Sequence, residues 1–161
     1  MKLSVIICTY NRIELLPYCF NSILNQSYSE NDVEYILINN NSTDSTKEYV
    51  LSFLQEHQDL GLRYVEEFDQ GLSNARNRGI REAKGKWVAF IDDDAIMYDN
   101  YVQEVINVID SNPSFIAFGG KIIVHFLGNP PKWQNPYVNS LFGYFDKGDS
   151  SFKFKSNSYP R

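Results

Sequence analysis

The sequence predicts an α/β fold: a mostly parallel, mixed sheet flanked by helices on both faces. Apolar, β-branched runs alternate with stretches of helical spacing four times over about 110 residues, the signature of βαβ units. The first two runs, LSVIIC and EYILI, are almost continuously apolar, as strands buried on both faces read.

Leu3–Cys8 is the first strand. Apolar residues at 13, 16, 20, 23 and 24 predict a helix over Ile13–Leu24. Glu34–Ile38 is the second strand. Ser42 or Thr43 is expected to cap a helix running to about His57, with Asp44 in its first turn and Tyr49, Val50, Phe53 and Leu54 on its apolar face. Leu62–Glu67 is a third strand, more polar and so nearer an edge. Leu72–Ala83 is a helix whose face carries Ala75, Gly79 and Ala83, small residues that permit close packing on a sheet. Trp87–Ile91 is the fourth strand, and Tyr101–Ile109 a helix stopped by Ser111-Asn112-Pro113. Phe115–Val124 reads as one or two further strands broken at Gly119-Gly120. From His125 the pattern fails. The expected organisation is therefore an α/β domain over 1–124 and an irregular, aromatic-rich tail over 125–161, the start of a further region that stops as if cut.

The 161 residues carry a formal net charge of −5, which argues against a nucleic-acid surface. Two cysteines, Cys8 and Cys19, make no disulfide framework and read as reduced thiols. No leader peptide and no run near the ~20 apolar residues of a membrane span is present, so a cytoplasmic location is expected.

In an open parallel sheet, ligands bind outside the carboxyl ends of the strands. There the chain places TYNR (9–12), NNNSTD (39–44), FDQGLSNARN (68–77) and DDD (92–94), while an opposite loop, REAKGK (81–86), is bland. Two carboxylates about 4 Å apart repel by ~1 kcal/mol in water and ~4 kcal/mol at an effective dielectric of 20, so Asp92, Asp93 and Asp94 need compensation from a raised pKa, a basic side chain or a cation. Hard oxygen ligands without cysteine or histidine suit Mg²⁺ or Mn²⁺, which take one or two carboxylates and complete their shell with water and substrate phosphates. A diphosphate-bearing ligand follows. Tyr10 suits stacking on a base or sugar, Arg12 and Arg76 suit a phosphate, and the Asn39 amide suits the edge of a base. Ser42, Thr43 and Asp44 are expected to cap, His57 to suit a helix terminus, and His125 to stay outside the site.

The stretches SVIICTYNR, INNNSTD and GLSNARNRGIREAKGKWVAFIDDDA, in this order and spacing, resemble the family 2 glycosyltransferases from Leu3 to about Lys121. The resemblance implies the GT-A nucleotide-diphospho-sugar transferase fold. It also implies inverting transfer of a sugar from a nucleotide donor, usually a UDP-sugar, to a hydroxyl of a glycan or lipid-linked acceptor, with Mn²⁺ or Mg²⁺, as in polysaccharide biosynthesis. It gives Thr9, Tyr10, Asn11 and Arg12 to base and ribose, Asn39 to the base edge, Arg76 to the nucleotide, and Asp93 to ribose or the metal shell. Asp94 is the main metal ligand, with Asp92 beside it, in a DXD motif. Two departures stand out. The family commonly has aspartate where this chain has Asn39, which loosens the case for uridine. The acidic motif that supplies a general base has no match after Gly120; Asp146 and Asp149 lie in a Gly/Ser-rich loop. The chain is therefore expected to be the N-terminal donor-binding portion of a longer enzyme. The alternative is a catalytically incomplete nucleotide-sugar binding module. Peripheral membrane association of the full-length protein and self-association through the aromatic tail are further expectations.

Overall fold

The computed structural model describes residues 1–27, 32–148 and 150, in two compact units, Met1–Pro113 and Ser114–Arg161. In the first, β1 (Leu3–Thr9), α1 (Leu16–Leu24), β2 (Val33–Asn39), α2 (Thr46–Glu56), a 3₁₀ turn (Gln58–Leu60), β3 (Leu62–Glu66), α3 (Leu72–Glu82), β4 (Trp87–Asp92) and α4 (Tyr101–Ser111) follow in order. The sheet order is β3-β2-β1-β4 and every pairing is parallel, so among the described residues the sheet is not mixed. The polar β3 lies at an edge, as its composition implied.

Alternation along the strands sorts the core into two layers. Val5, Ile7, Tyr35 and Leu37 pack with Phe20 of α1, Val50 and Phe53 of α2, and Val102, Val105 and Ile106 of α4. Ile6, Ile36 and Ile38 face the other way, onto Ala75 of α3. The α3 backbone comes so near β1 that a Cβ added at Gly79 would lie 2.4 Å from Ile6 Cγ2, the close approach implied by the small residues on that helix face.

The amino-terminal end of the sheet is closed by a polar staple. Glu34, buried on β2, accepts from Ser4 Oγ (2.6 Å) and the Lys84 N–H (2.7 Å) and pairs with Arg63 (3.1 Å), which also reaches Glu82. Burial pushes the Glu34 carboxyl up, but Ser4, Lys84 and Arg63 outweigh it and hold it below the usual range.

Several elements depart from their expected form. α1 begins at Leu16, with Pro17 in its first turn, instead of Ile13. α2 begins at Thr46, and neither Ser42 nor Thr43 caps it; Asp44 Oδ1 accepts from Thr46 N (3.1 Å) instead. Phe115–Val124 forms no strand: among the described residues its β-pairing is one antiparallel bridge, Ile122 to Phe145. The compact units divide at Pro113–Ser114.

The second unit holds a short helix, α5 (Pro136–Leu141), where none was expected; Asn135 caps it by accepting from Val138 N (3.0 Å). Phe142 meets Phe126 edge-on and stacks with Trp133. Among the described residues, no helix is long and apolar enough to cross a membrane.

Candidate functional site

Parallel register decides which residues share an edge. Thr9 pairs with Asn39, Asn39 with Glu66, and Cys8 with Asp92, so the four carboxyl ends finish level. The loops leaving them converge on the edge anticipated from the sequence.

The first two loops are knitted together by Asn11. It adopts a left-handed conformation (φ +51°), which asparagine tolerates. Its N–H donates to Ser42 Oγ (3.0 Å), its Oδ1 accepts from Thr43 N (2.7 Å) and Asp44 N (3.3 Å), and its Nδ2 donates to Thr43 Oγ1 (3.3 Å). Those hydroxyls, expected at a helix cap, instead hold this loop. Tyr10, one residue earlier, is half-exposed and open to a stacking ligand.

Asn39 is 3% exposed; its Nδ2 donates to Tyr64 Oη (2.8 Å) and its Oδ1 accepts from Ser42 N (3.0 Å). These two bonds leave one N–H and one lone pair of the amide unused by either partner. Asn40, which the sequence did not single out, does more structural work. Its Nδ2 donates to the carbonyls of Glu67 (3.1 Å) and Asp69 (2.9 Å), and its Oδ1 accepts from Gly71 N (2.8 Å). It thereby sets where α3 begins, at a glycine with φ +137°, and so where Arg76 stands. Three adjacent asparagines give no sequence signal separating these roles.

The acidic triplet is met by two arginines. Arg12 Nη1 lies 2.9 Å from Asp94 Oδ2 and 3.7 Å from Asp93 Oδ1. Arg76 Nη2 lies 3.4 Å from Asp92 Oδ1, with its guanidinium 5.6 Å from the centre of the Phe90 ring. Asp93 is only 7% exposed. Burial pushes its carboxyl above the usual range and the neighbouring Asp94 and Asp92 add to this, against the Thr9 hydroxyl and Arg12.

Among the described residues no three acidic, histidine or cysteine side chains converge into a protein cage for a metal. Asp94 and Asp92 are exposed hard-oxygen donors, and a magnesium-like ion needs only one or two of these beside phosphate oxygens. The donor set fits a dication that arrives with a diphosphate.

His57 ends α2 with its ring 4.4 Å from Phe53. His125 and Asp146 belong to the second unit. The Gly148 N–H (2.8 Å) and Lys121 (3.3 Å) hold the Asp146 carboxyl below the usual range. Asp149 lies outside the described residues.

The family described as Glycosyl transferase family 2 matches residues 4–158. Glycosyltransferase GlyA of Streptococcus pneumoniae is 31% identical over 137 residues, covering 80% of this chain and 19% of that protein. The GalNAc(5)-diNAcBac-PP-undecaprenol beta-1,3-glucosyltransferase of Campylobacter jejuni is 30% identical over 131 residues, covering 81% and 41%. Among solved structures, S. aureus TarS 1-349 in complex with UDP superimposes with a TM-score of 0.64 at 26% identity, over 70% of this chain and 33% of that one. Mannosyltransferase PcManGT from Pyrobaculum calidifontis, in complex with GDP-Man and Mn²⁺, gives 0.57 at 33% identity, over 59% and 28%. The chain thus spans less than half the length of each of these relatives. With its level strand ends, its acidic triplet and these matches, the chain belongs to glycosyl transferase family 2 and has the GT-A fold.

Proposed function

We propose that this chain supplies the donor site of a metal-assisted, inverting glycosyltransferase that takes its sugar from a nucleoside-diphosphate donor, a UDP-sugar first among them. The observation that carries this is the convergence of Asp92–Asp94 with Arg12 and Arg76 on the edge that also holds Thr9 and Asn39. Tyr10 stacks on the base or sugar, Asn39 presents its remaining amide valences to the base edge, and Arg76, steadied by Phe90, faces the nucleotide. Asp94, with Asp92 beside it, holds the Mn²⁺ or Mg²⁺, and Asp93 supports that shell or the ribose. A bound dication would supply positive charge to the departing diphosphate. The solved relatives support the donor class, since TarS is seen with UDP and PcManGT with GDP-Man and Mn²⁺.

Inversion also needs a base for the acceptor hydroxyl. Asp146 lies in the second unit, where its carboxylate is engaged by the Gly148 N–H and Lys121. We assign that role, and the glycan or lipid-linked acceptor, to parts of a longer enzyme. The second reading is a binding module without transfer activity. Calorimetry with UDP, GDP and TDP, each with and without Mn²⁺, tests the donor site. UDP should bind, more tightly with metal, and Asp94→Ala should remove the effect of the metal. Equal affinities with and without metal would refute the assignment. Donor binding by the full-length enzyme with no transfer to any acceptor would favour the module.

A further inference from the structure

We propose that Arg12 guards the acidic edge against metal alone, so that dication and diphosphate load together. The inference rests on the donor-site reading above and adds a positioning residue to it. A single guanidinium nitrogen of Arg12 lies on Asp94 and reaches Asp93, covering the carboxylate best placed to hold a metal. The root of this arm is fixed, because Asn11 is bonded to Ser42, Thr43 and Asp44. The arm itself is 49% exposed, with solvent beside it to turn into once a competing anion arrives. Asp93 is buried and cannot follow it.

Charge counting makes the guard selective. Three ionised carboxylates and two guanidiniums leave a formal charge of −1 at this edge. A dication alone would invert that sign while Arg12 repels it. A diphosphate alone would deepen the negative charge beside three carboxylates. A dication with the two negative charges of a nucleotide-sugar diphosphate adds nothing net. With free UDP, whose terminal phosphate ionises further, it adds only about one negative charge. In both cases the phosphates offer Arg12 a replacement anion with matching fork geometry. Coupling of this kind is reciprocal: each ligand raises the affinity of the other by the same factor.

The test counts unbound Mn²⁺ by electron paramagnetic resonance on the purified chain, with and without saturating UDP. Each titration is read against the same one without protein, because UDP holds Mn²⁺ by itself. Wild type should bind Mn²⁺ weakly alone and much more tightly with UDP. Arg12→Gln should bind Mn²⁺ alone about tenfold tighter, through loss of one repelling charge and one competing ion pair, and its coupling to UDP should fall accordingly. Arg12→Lys, which keeps the charge, should restore weak binding. Adding Asp94→Asn to Arg12→Gln should remove the gained affinity. Unchanged or weaker Mn²⁺ binding by Arg12→Gln, beside a wild type whose metal binding depends on UDP, overturns the guard alone. A wild type that binds no Mn²⁺ even with UDP overturns the donor-site reading and the guard with it.

Discussion

Replacing Gly79 by alanine isolates the contact that seats α3 on the sheet. In a helix interior, alanine is favoured over glycine by about 1 kcal/mol. Here the added methyl would lie 2.4 Å from Ile6 Cγ2, 3.0 Å from Cδ1 and 3.3 Å from Cγ1. Ile6 is fully buried on β1 and β-branched, so its Cγ2 cannot rotate away cheaply. Overpacking of this kind costs roughly 1–3 kcal/mol, and an overlap this deep belongs at or beyond the upper end. The net expectation is a loss of about 2 kcal/mol. Ile6→Ala alone should cost about 3 kcal/mol through its cavity. In that background Gly79→Ala should become stabilising by about 1 kcal/mol, since the helix preference survives and the clash is gone. The coupling between the two changes is then about 3 kcal/mol, large for a contacting pair. Urea titrations followed by tryptophan fluorescence and extrapolated linearly measure all four proteins. A neutral or stabilising Gly79→Ala in the wild-type background would refute the reasoning, as would an equal penalty with and without Ile6. Because α3 also carries Arg76, the single variant should weaken nucleotide binding, and the double variant should recover part of it.

Three other outcomes are expected. Asn40→Ala removes three hydrogen bonds at a buried position and should cost about 2–4 kcal/mol, with faster hydrogen exchange at the Gly71 amide than anywhere in β1. Glu34 has a carboxyl held low in the fold, so its contribution is present above the ordinary glutamate value of about 4.3 and is lost as pH falls through the folded value. Glu34→Gln should therefore cost about 3 kcal/mol at neutral pH and much less in acid, which thermal melts across pH would show; a penalty independent of pH would contradict this. Burial pushes the Cys8 thiol up to about 11 and the Cys19 thiol up to about 12, so both should resist alkylation at pH 8 in the folded protein, and rapid labelling of Cys19 in particular would contradict the packing of α1.

Much of the fold was legible because its signals are local. The runs 3–8 and 34–38 needed no partner to read as buried strands, and the helical spacing of 72–83 with its small residues announced a close approach to the sheet. Expectations failed where a long-range partner decided. Phe115–Val124 has the composition of a strand but, among the described residues, only one bridge, and Ser42 and Thr43 have the chemistry of caps but were recruited by Asn11.

By itself the sequence determined the alternation of elements, the family, and the one edge on which TYNR, NNNSTD, FDQGLSNARN and DDD would meet, since a parallel sheet sends every strand's exit the same way. Only the tertiary structure decided which of those side chains hold the loops in place and which pair with one another across the acidic edge. Arg12 and Asp94 are 82 positions apart, and Asn40 and Gly71 are 31 apart. Such pairings depend on strand register and on the depth of helix packing, neither of which is written in any local stretch of chain.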